Sequence, residues 1–261
     1  MSRHPFGGAF LMPGKGWQLR YLGGKRRIAK PIIEQILTRC GTGNGRYYEP
    51  FVGGGAVAAK IGGKFDHAFY SDYSPDLILM WSALMDGWTP PDVVTVDEYK
   101  ALRNAEPSAL RGFVGFGGSF GGKWFGGYAR GGFNSNGSPR NHQSESKRAV
   151  LKDIQGMAAG VSTTFTHSDF SDVDPLPGSV VYCDPPYQGT TAYTGVDEFD
   201  TERFWTVMDK WSESGVHVFV SSYTAPDHWP MIWEQPLRSS ARIGSEERHM
   251  ATERLFYRSP N

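Results

Sequence analysis

At 261 residues the chain is long enough for one large α/β domain with an insertion, or for two small domains, and it can bury a substantial core. Its 27 basic and 27 acidic residues cancel, which excludes a strongly basic protein and leaves local charge segregation as the only source of a nucleic-acid surface. Two cysteines, Cys40 and Cys183, exclude a disulfide framework, and neither stands at metal-ligand spacing from a histidine, so no metal is inferred and a reducing cytoplasmic setting is expected.

Residues 1–17 are rich in Gly and Pro without periodicity and read as an N-terminal arm. Their apolar run Ala9-Phe10-Leu11-Met12 is too short for a signal core or a membrane span, so a soluble intracellular protein is expected. Next, Ile28, Ile32, Ile33, Ile36 and Leu37 recur at helical spacing and stop at Gly41. Arg46 to Phe51 reads as a strand entering Gly53-Gly54-Gly55, and Ala56 to Ile61 favours a helix. The grammar repeats with the short strand Ala68-Phe69-Tyr70, then Ser71-Asp72, and a helix opened by Pro75 that runs to Met85. This order predicts a doubly wound α/β sheet.

From 86 to 165 the pattern changes. A helix at 95–104 is introduced by the Thr95/Glu98 capping-box spacing, and another is expected at about 146–159. Between them, 11 of the 30 residues from 111 to 140 are Gly. The α/β pattern then resumes with the apolar strand Ser179 to Cys183, a helix at about 201–212 and the strand Val216 to Val220. The expected organisation is an arm at 1–17, one α/β domain made of 18–85 and 166–261, and an inserted module at 86–165. Two stretches are basic without an acid: Lys15, Arg20, Lys25, Arg26, Arg27 and Lys30 within 15–30, and Arg111, Lys123, Arg130 and Arg140 within 111–144.

The sharpest motif is Asp184-Pro185-Pro186-Tyr187, directly after an apolar strand. Adenine N6 is a poor nucleophile because its lone pair is delocalised into the ring. A carboxylate and a free carbonyl can accept hydrogen bonds from that amino group and stabilise the positive charge that grows as a methyl arrives. Two prolines fix φ and rigidify the turn, and Tyr187 offers a ring for a base to stack on. A base inside a duplex cannot enter such a pocket, so it must be flipped out or already unpaired. The alternative is that Pro-Pro simply ends a strand.

Glu49-Pro50-Phe51-Val52-Gly53-Gly54-Gly55-Ala56 supplies a glycine turn between strand and helix, where backbone can approach a ligand, although tight βα turns also need Gly for packing. Asp72 follows 17 residues after Gly55. There an acid can accept both hydroxyls of a ribose, or it can cap the following helix.

In sum these pieces resemble the DNA adenine methylase family, the D12 class of N6-adenine methyltransferases with bacterial and phage members. The matching segments are Tyr21-Leu22-Gly23-Gly24-Lys25, Glu49 to Ala56, Ser71-Asp72, Ser168-Asp169-Phe170, Asp184 to Tyr187 and Glu253-Arg254-Leu255-Phe256, in the family's order over nearly the whole chain apart from the insertion. The resemblance implies a Rossmann-like S-adenosylmethionine-dependent methyltransferase sheet with an inserted target-recognition module. S-adenosyl-L-methionine would be the cofactor and double-stranded DNA the partner, with no membrane and no obligate protein partner. It further implies that Tyr21 and Lys25 meet the methionine end of the cofactor, with Glu49, Phe51, Gly53 and Gly55 at the turn. Asp72 would take the ribose, Asp169 and Phe170 the cofactor adenine, and Asp184 the place where methyl donor and acceptor meet. Two departures are a tyrosine at 21, where the family often has tryptophan, and an insertion unlike the family's usual recognition segments.

In the insertion, basic side chains alternate with aromatics, which suits phosphate contact and base stacking; Lys123, Arg130 and Arg140 are the expected DNA contacts, and Arg130 or Arg140 could read a guanine edge. A surface loop with its aromatics packed on the domain is the alternative. Gly117-Gly118-Ser119-Phe120-Gly121 matches a nucleophile elbow in form but has no strand before it. Gly117 to Lys123 nearly matches a phosphate-binding loop, but Trp124 stands where Ser or Thr is required. N4-cytosine methylation and a non-catalytic DNA-binding regulator on the same fold complete the alternatives.

Overall fold

A computed structural model of the chain describes residues 21, 24–42, 45–134, 136–187, 199–238 and 250–260. The arm at 1–17 lies outside the described residues, as do Lys15, Arg20, Leu22 and Gly23. Helix α1 (Ala29–Cys40) buries Ile32, Ile33 and Ile36 and ends at Gly41, whose φ of 75° suits glycine. Strand β1 (Arg46–Glu49) leads through the glycine turn into the short helix α2 (Ala58–Ile61). Strand β2 (His67–Asp72) is followed by α3 (Pro75–Met85), with proline in its first turn.

In the next segment, α4 (Val96–Arg103) carries the expected capping box: the Thr95 hydroxyl accepts from the Glu98 N–H and the Glu98 carboxylate accepts from the Thr95 N–H. Then come α5 (Ala109–Gly117), α6 (His142–Met157) and β3 (Ser162–His167). Helix α6 begins earlier than its apolar residues suggest because the Asn141 side chain accepts from the Ser144 N–H. Strand β4 (Val180–Cys183), helix α7 (Thr201–Glu213) and strands β5 (His217–Ser222), β6 (Met231–Arg238) and β7 (Met250–Arg258) close the order.

The strands form one seven-stranded sheet in the order β3-β2-β1-β4-β5-β7-β6. Strands β1 to β5 are parallel, and β7 runs antiparallel between β5 and β6. From β1 the chain winds outward through β2 to β3, then returns to place β4 on the other side of β1. Ligands of open α/β sheets bind at such a reversal, beyond the carboxyl ends of the strands. Glu49 and Asp184 stand at those ends.

Two apolar layers flank the sheet. One joins Tyr47 and Tyr70 to α1, α2, α3, α5 and α6; the other joins Tyr48, Val181 and Val218 to Phe204, Met208 and Trp211 of α7. Alternation along a strand sends Tyr47 and Tyr48 to opposite layers. The expected module boundary at 165 groups α6 and most of β3 with the insertion, yet α6 packs against α2 and β3 pairs in register with β2 from His67↔Ser162 to Asp72↔His167. Among the described residues no helix is long and apolar enough to cross a membrane.

The glycines of the insertion have a packing role that composition hides. A Cβ on Gly112 of α5 would lie 2.3 Å from the Asp76 carbonyl oxygen of α3, and one on Gly115 would enter the Trp124 ring. Gly156 likewise sets α6 against α2, since a Cβ there would stand 2.0 Å from the Ala59 carbonyl oxygen. In an exposed helix Gly→Ala stabilises by about 1 kcal/mol. Here Gly156→Ala is expected to destabilise by about 1–3 kcal/mol, because backbone must move to admit the methyl. Urea unfolding gives the sign directly, and a stabilised variant would refute the close approach.

Candidate active site

The Asp184 carboxylate is held by the Lys25 ammonium, with Nζ 2.7 Å from Oδ1. Lys25 belongs to a short 3-10 turn at 25–27 and is 6% exposed, so its charge is buried beside this acid. The same ammonium lies 4.5 Å from the centre of the Tyr187 ring and 3.7 Å from Glu253 Oε2. The Tyr187 hydroxyl donates to Glu253 Oε2 at 2.6 Å and stands 3.4 Å from Asp184 Oδ1. Burial pushes the Asp184 carboxyl above its ordinary value, while the adjacent Lys25 charge opposes that rise. Pro185 is buried and Pro186 exposed, so the pair forms a rigid lip beside the acid.

Behind this loop lies a cavity of about 200 Å³ walled by Pro185, Tyr187, Phe204, Trp205 and Tyr223. The Tyr187 and Tyr223 rings meet with centroids 4.3 Å apart. Phe204 and Phe199 continue the wall into an aromatic cluster with Phe51 and Phe170, whose rings are 5.5 Å apart. Asp169 accepts from the Ser171 N–H at 2.9 Å, capping the turn at 170–172, and also pairs with Arg203, which lies over the Phe170 ring.

At the glycine turn, Gly53 (φ 45°) and Gly54 lie beneath the Tyr21 ring; a Cβ on Gly54 would come within 2.7 Å of Tyr21 Cβ. Tyr21 is backed in turn by Phe116 of α5, with centroids 4.8 Å apart. Gly55 (φ 67°) has a different task, since its missing side chain admits Met157 and Trp81. The Trp81 indole N–H donates to the Gly53 carbonyl at 3.0 Å.

Asp72 braces the same turn. Its Oδ2 accepts from the Gly53 N–H and its Oδ1 from the Ser74 N–H, each at 2.9 Å. Ser74 occupies the N-cap position of α3 without a side-chain capping bond, so Asp72 bonds the N-cap N–H and holds the turn, not the helix's inner donors. Each oxygen keeps a further lone pair. Burial pushes this carboxyl up to about 6 against the two N–H donors. Glu49 is 2% exposed, accepts from the Tyr47 hydroxyl at 2.7 Å, and is pushed by burial up to about 8. It supports the end of β1 from inside.

The three basic residues expected at DNA differ in setting. Lys123 and Arg130 are exposed, Arg130 lying over the Tyr128 ring at 5.6 Å. Arg140 pairs with Glu145 of α6, and Arg111 with Asp76 of α3 at 2.5 Å. A segment without acids in sequence thus receives them from neighbouring helices. Arg26 pairs with Asp153 of α6 and reaches the Gly54 carbonyl at 3.5 Å. Ser119 is fully buried, bonded to the Tyr99 hydroxyl at 2.8 Å and the Gly115 carbonyl at 2.7 Å, which removes the nucleophile-elbow alternative.

Glu253 and Tyr223 complete the site without having been singled out by residue-level reasoning. For Glu253 the signal was an acid two residues before Leu255, on what alternation makes the buried face of a strand.

Sheet order, switch point and the Asp-Pro-Pro-Tyr loop together define an α/β protein of the Rossmann-like methyltransferase class. The family model for the D12 class N6 adenine-specific DNA methyltransferase matches residues 21–108 and 128–240, and the chain belongs to that family. No curated protein matches the chain in sequence. Among solved structures it is similar to the N-methyltransferase NodS from Bradyrhizobium japonicum, at 9% identity and a TM-score of 0.40 over 91% of this chain and 97% of that one. It is also similar to a tRNA (m1A58) methyltransferase, TrmI, from Aquifex aeolicus, at 11% identity and a TM-score of 0.37 over 91% of this chain and 72% of that one.

Proposed function

We propose that the chain transfers the methyl group of S-adenosyl-L-methionine directly to N6 of an adenine turned out of double-stranded DNA. The observation that carries this reading is the half-buried Asp184 carboxylate at the switch point, 2.7 Å from the Lys25 ammonium and 3.4 Å from the Tyr187 hydroxyl. The cofactor supplies a methyl group made electrophilic by its sulfonium. The chain's residues fit it: glycines 53 and 54 bring backbone close beneath Tyr21, and Asp72 keeps lone pairs suited to a ribose diol. Lys25 and Tyr21 would meet its amino-acid end, and Phe51, Phe170 and Asp169 its adenine.

Asp184 accepts a hydrogen bond from the N6 amino group and stabilises the positive charge that develops there. Its carboxyl, raised by burial, is also a better acceptor for the proton that N6 must then release. Tyr187 gives the base a face to stack on, and the rigid proline pair fixes acid and ring relative to each other. The inserted segment that carries Lys123 and Arg130 acts in target recognition, with those two residues at phosphates, while Arg140 holds the start of α6 through Glu145.

Incubation with tritiated S-adenosylmethionine and unmethylated plasmid, followed by nucleoside digestion and chromatography, tests the reading. Label in N6-methyladenine is expected. Label in N4-methylcytosine would replace the target base, and no label would refute the reaction. Lys123→Ala and Arg130→Ala are each expected to weaken DNA binding and to lower the salt dependence of log K by about one. An unchanged salt slope in both would remove them from the DNA surface.

A further inference from the structure

Glu253 lies on β7, in the Glu253–Phe256 segment that resembles the family's, while the family model itself matches no further than residue 240. It is 8% exposed, on the same strand face as fully buried Leu255. Burying an acid on an apolar face costs stability, and a leucine there would serve the core better. The return for that cost is at the active site, where one carboxylate oxygen takes the Tyr187 hydroxyl at 2.6 Å and faces Lys25 at 3.7 Å.

We infer that Glu253 is a positioning residue for methyl transfer, acting through the Tyr187 hydroxyl to fix the ring on which the target base stacks. This rests on the reading proposed above. The prolines constrain the backbone before Tyr187 but leave its side-chain torsions free. Contacts that restrict them include the hydroxyl bond to Glu253 at one end and the Tyr223 ring, with centroids 4.3 Å apart. The hydroxyl takes Glu253 in preference to Asp184, which is 0.8 Å farther (3.4 against 2.6 Å), so Asp184 keeps its acceptor capacity for the substrate. Strand β7 is a rigid mount, since Glu253 sits in register with Gln235 of β6 while neighbouring Arg254 pairs with Ser222 of β5. Lys25 balances one of the two carboxylates, and its ammonium, 4.5 Å from the centre of the Tyr187 ring, adds a cation–π contact to the ring.

The test is a double-mutant cycle on the full chain with tritiated S-adenosylmethionine and unmethylated DNA, using Tyr187→Phe, Glu253→Ala and the pair, with Glu253→Gln alongside. Each of the first two is expected to lower kcat by about tenfold or more, the effect of losing a hydrogen bond to a charged group. KM for the cofactor should stay within about threefold, and the double variant should fall no further than the worse single one within about twofold. Glu253→Gln, which still offers an oxygen to the hydroxyl, should recover most of the activity. Losses that multiply, or a glutamine variant as poor as alanine, would overturn the inference while leaving the methyltransferase reading intact. If the alanine variant does not fold, Glu253→Leu replaces it in the cycle, because leucine suits the face around Leu255. A wild-type chain that transfers no methyl would overturn the reading and the inference together.

Discussion

Asp184→Ala is expected to lower methyl transfer by about a hundredfold to a thousandfold, the usual effect of deleting one group that stabilises charge in a transition state. The fold should survive, because Lys25 keeps Glu253 within 3.7 Å and the Tyr187 ring at 4.5 Å. A buried ammonium stripped of every partner would unfold a marginal protein; this one keeps these contacts. Asp184→Asn should lie between, since an amide oxygen still accepts from N6 but carries no charge to offset the one that develops. Single-turnover transfer, with melting temperature and cofactor affinity measured on the same preparations, separates the chemical step from stability and binding. An alanine variant with near wild-type turnover would refute the role given to Asp184.

The second large effect is at Asp72. Its removal takes away the proposed acceptor for the ribose hydroxyls and also the acceptor for the Gly53 and Ser74 N–H groups. Each lost or unsatisfied bond costs about 1–3 kcal/mol, so cofactor affinity should fall by about tenfold to a hundredfold in Asp72→Ala. The carboxyl titrates at about 6 instead of its ordinary 3.8, so the ionised acceptor is lost as pH falls through about 6 and wild-type affinity should weaken there. The stability consequence has the opposite sign. The folded state retains a proton that the unfolded chain has released between 3.8 and about 6, so this group favours the fold below 3.8 and that contribution disappears as pH rises through about 6. Glu49 acts in the same direction over the window from 4.5 to about 8. Calorimetric titration with S-adenosylmethionine from pH 5 to 8 should show the inflection in wild type and none in Asp72→Asn. An inflection that persists in the asparagine variant would assign it to another group, and unchanged affinity in Asp72→Ala would remove the ribose role.

Several elements were legible because one local signal decided each of them. Ile32, Ile33 and Ile36 with Gly41 mark α1, Pro75 marks the start of α3, and the Thr95/Glu98 spacing marks α4. Four others were not. Strand β3 is a Ser/Thr-rich edge strand with little buried surface, so it has almost no apolar period to read. Strands β6 and β7 carry charged residues such as Glu234 and Arg254 and are made strands by pairing with each other and with β5. Helix α5 contains Gly112, Gly115 and Gly117, a composition of low helix propensity that becomes favourable only against α3 and Trp124.

The sequence by itself determined the order of βα units, the glycine turn after β1, and the acid-Pro-Pro-Tyr loop after β4. These are set within a few residues, by φ restrictions, capping and apolar period. Tertiary structure alone decided which charges are spent inside and which remain for a ligand. Arg26, Arg111 and Arg140 look equivalent to Lys123 and Arg130 in sequence, yet each meets an acid from another element, Asp153, Asp76 or Glu145. Glu253 reaches Tyr187 and Lys25 across separations of 66 and 228 residues, because β7 is laid beside β5. Coulombic and hydrogen-bond energies depend on distance in space, and separation along the chain carries no information about that distance until the sheet has closed.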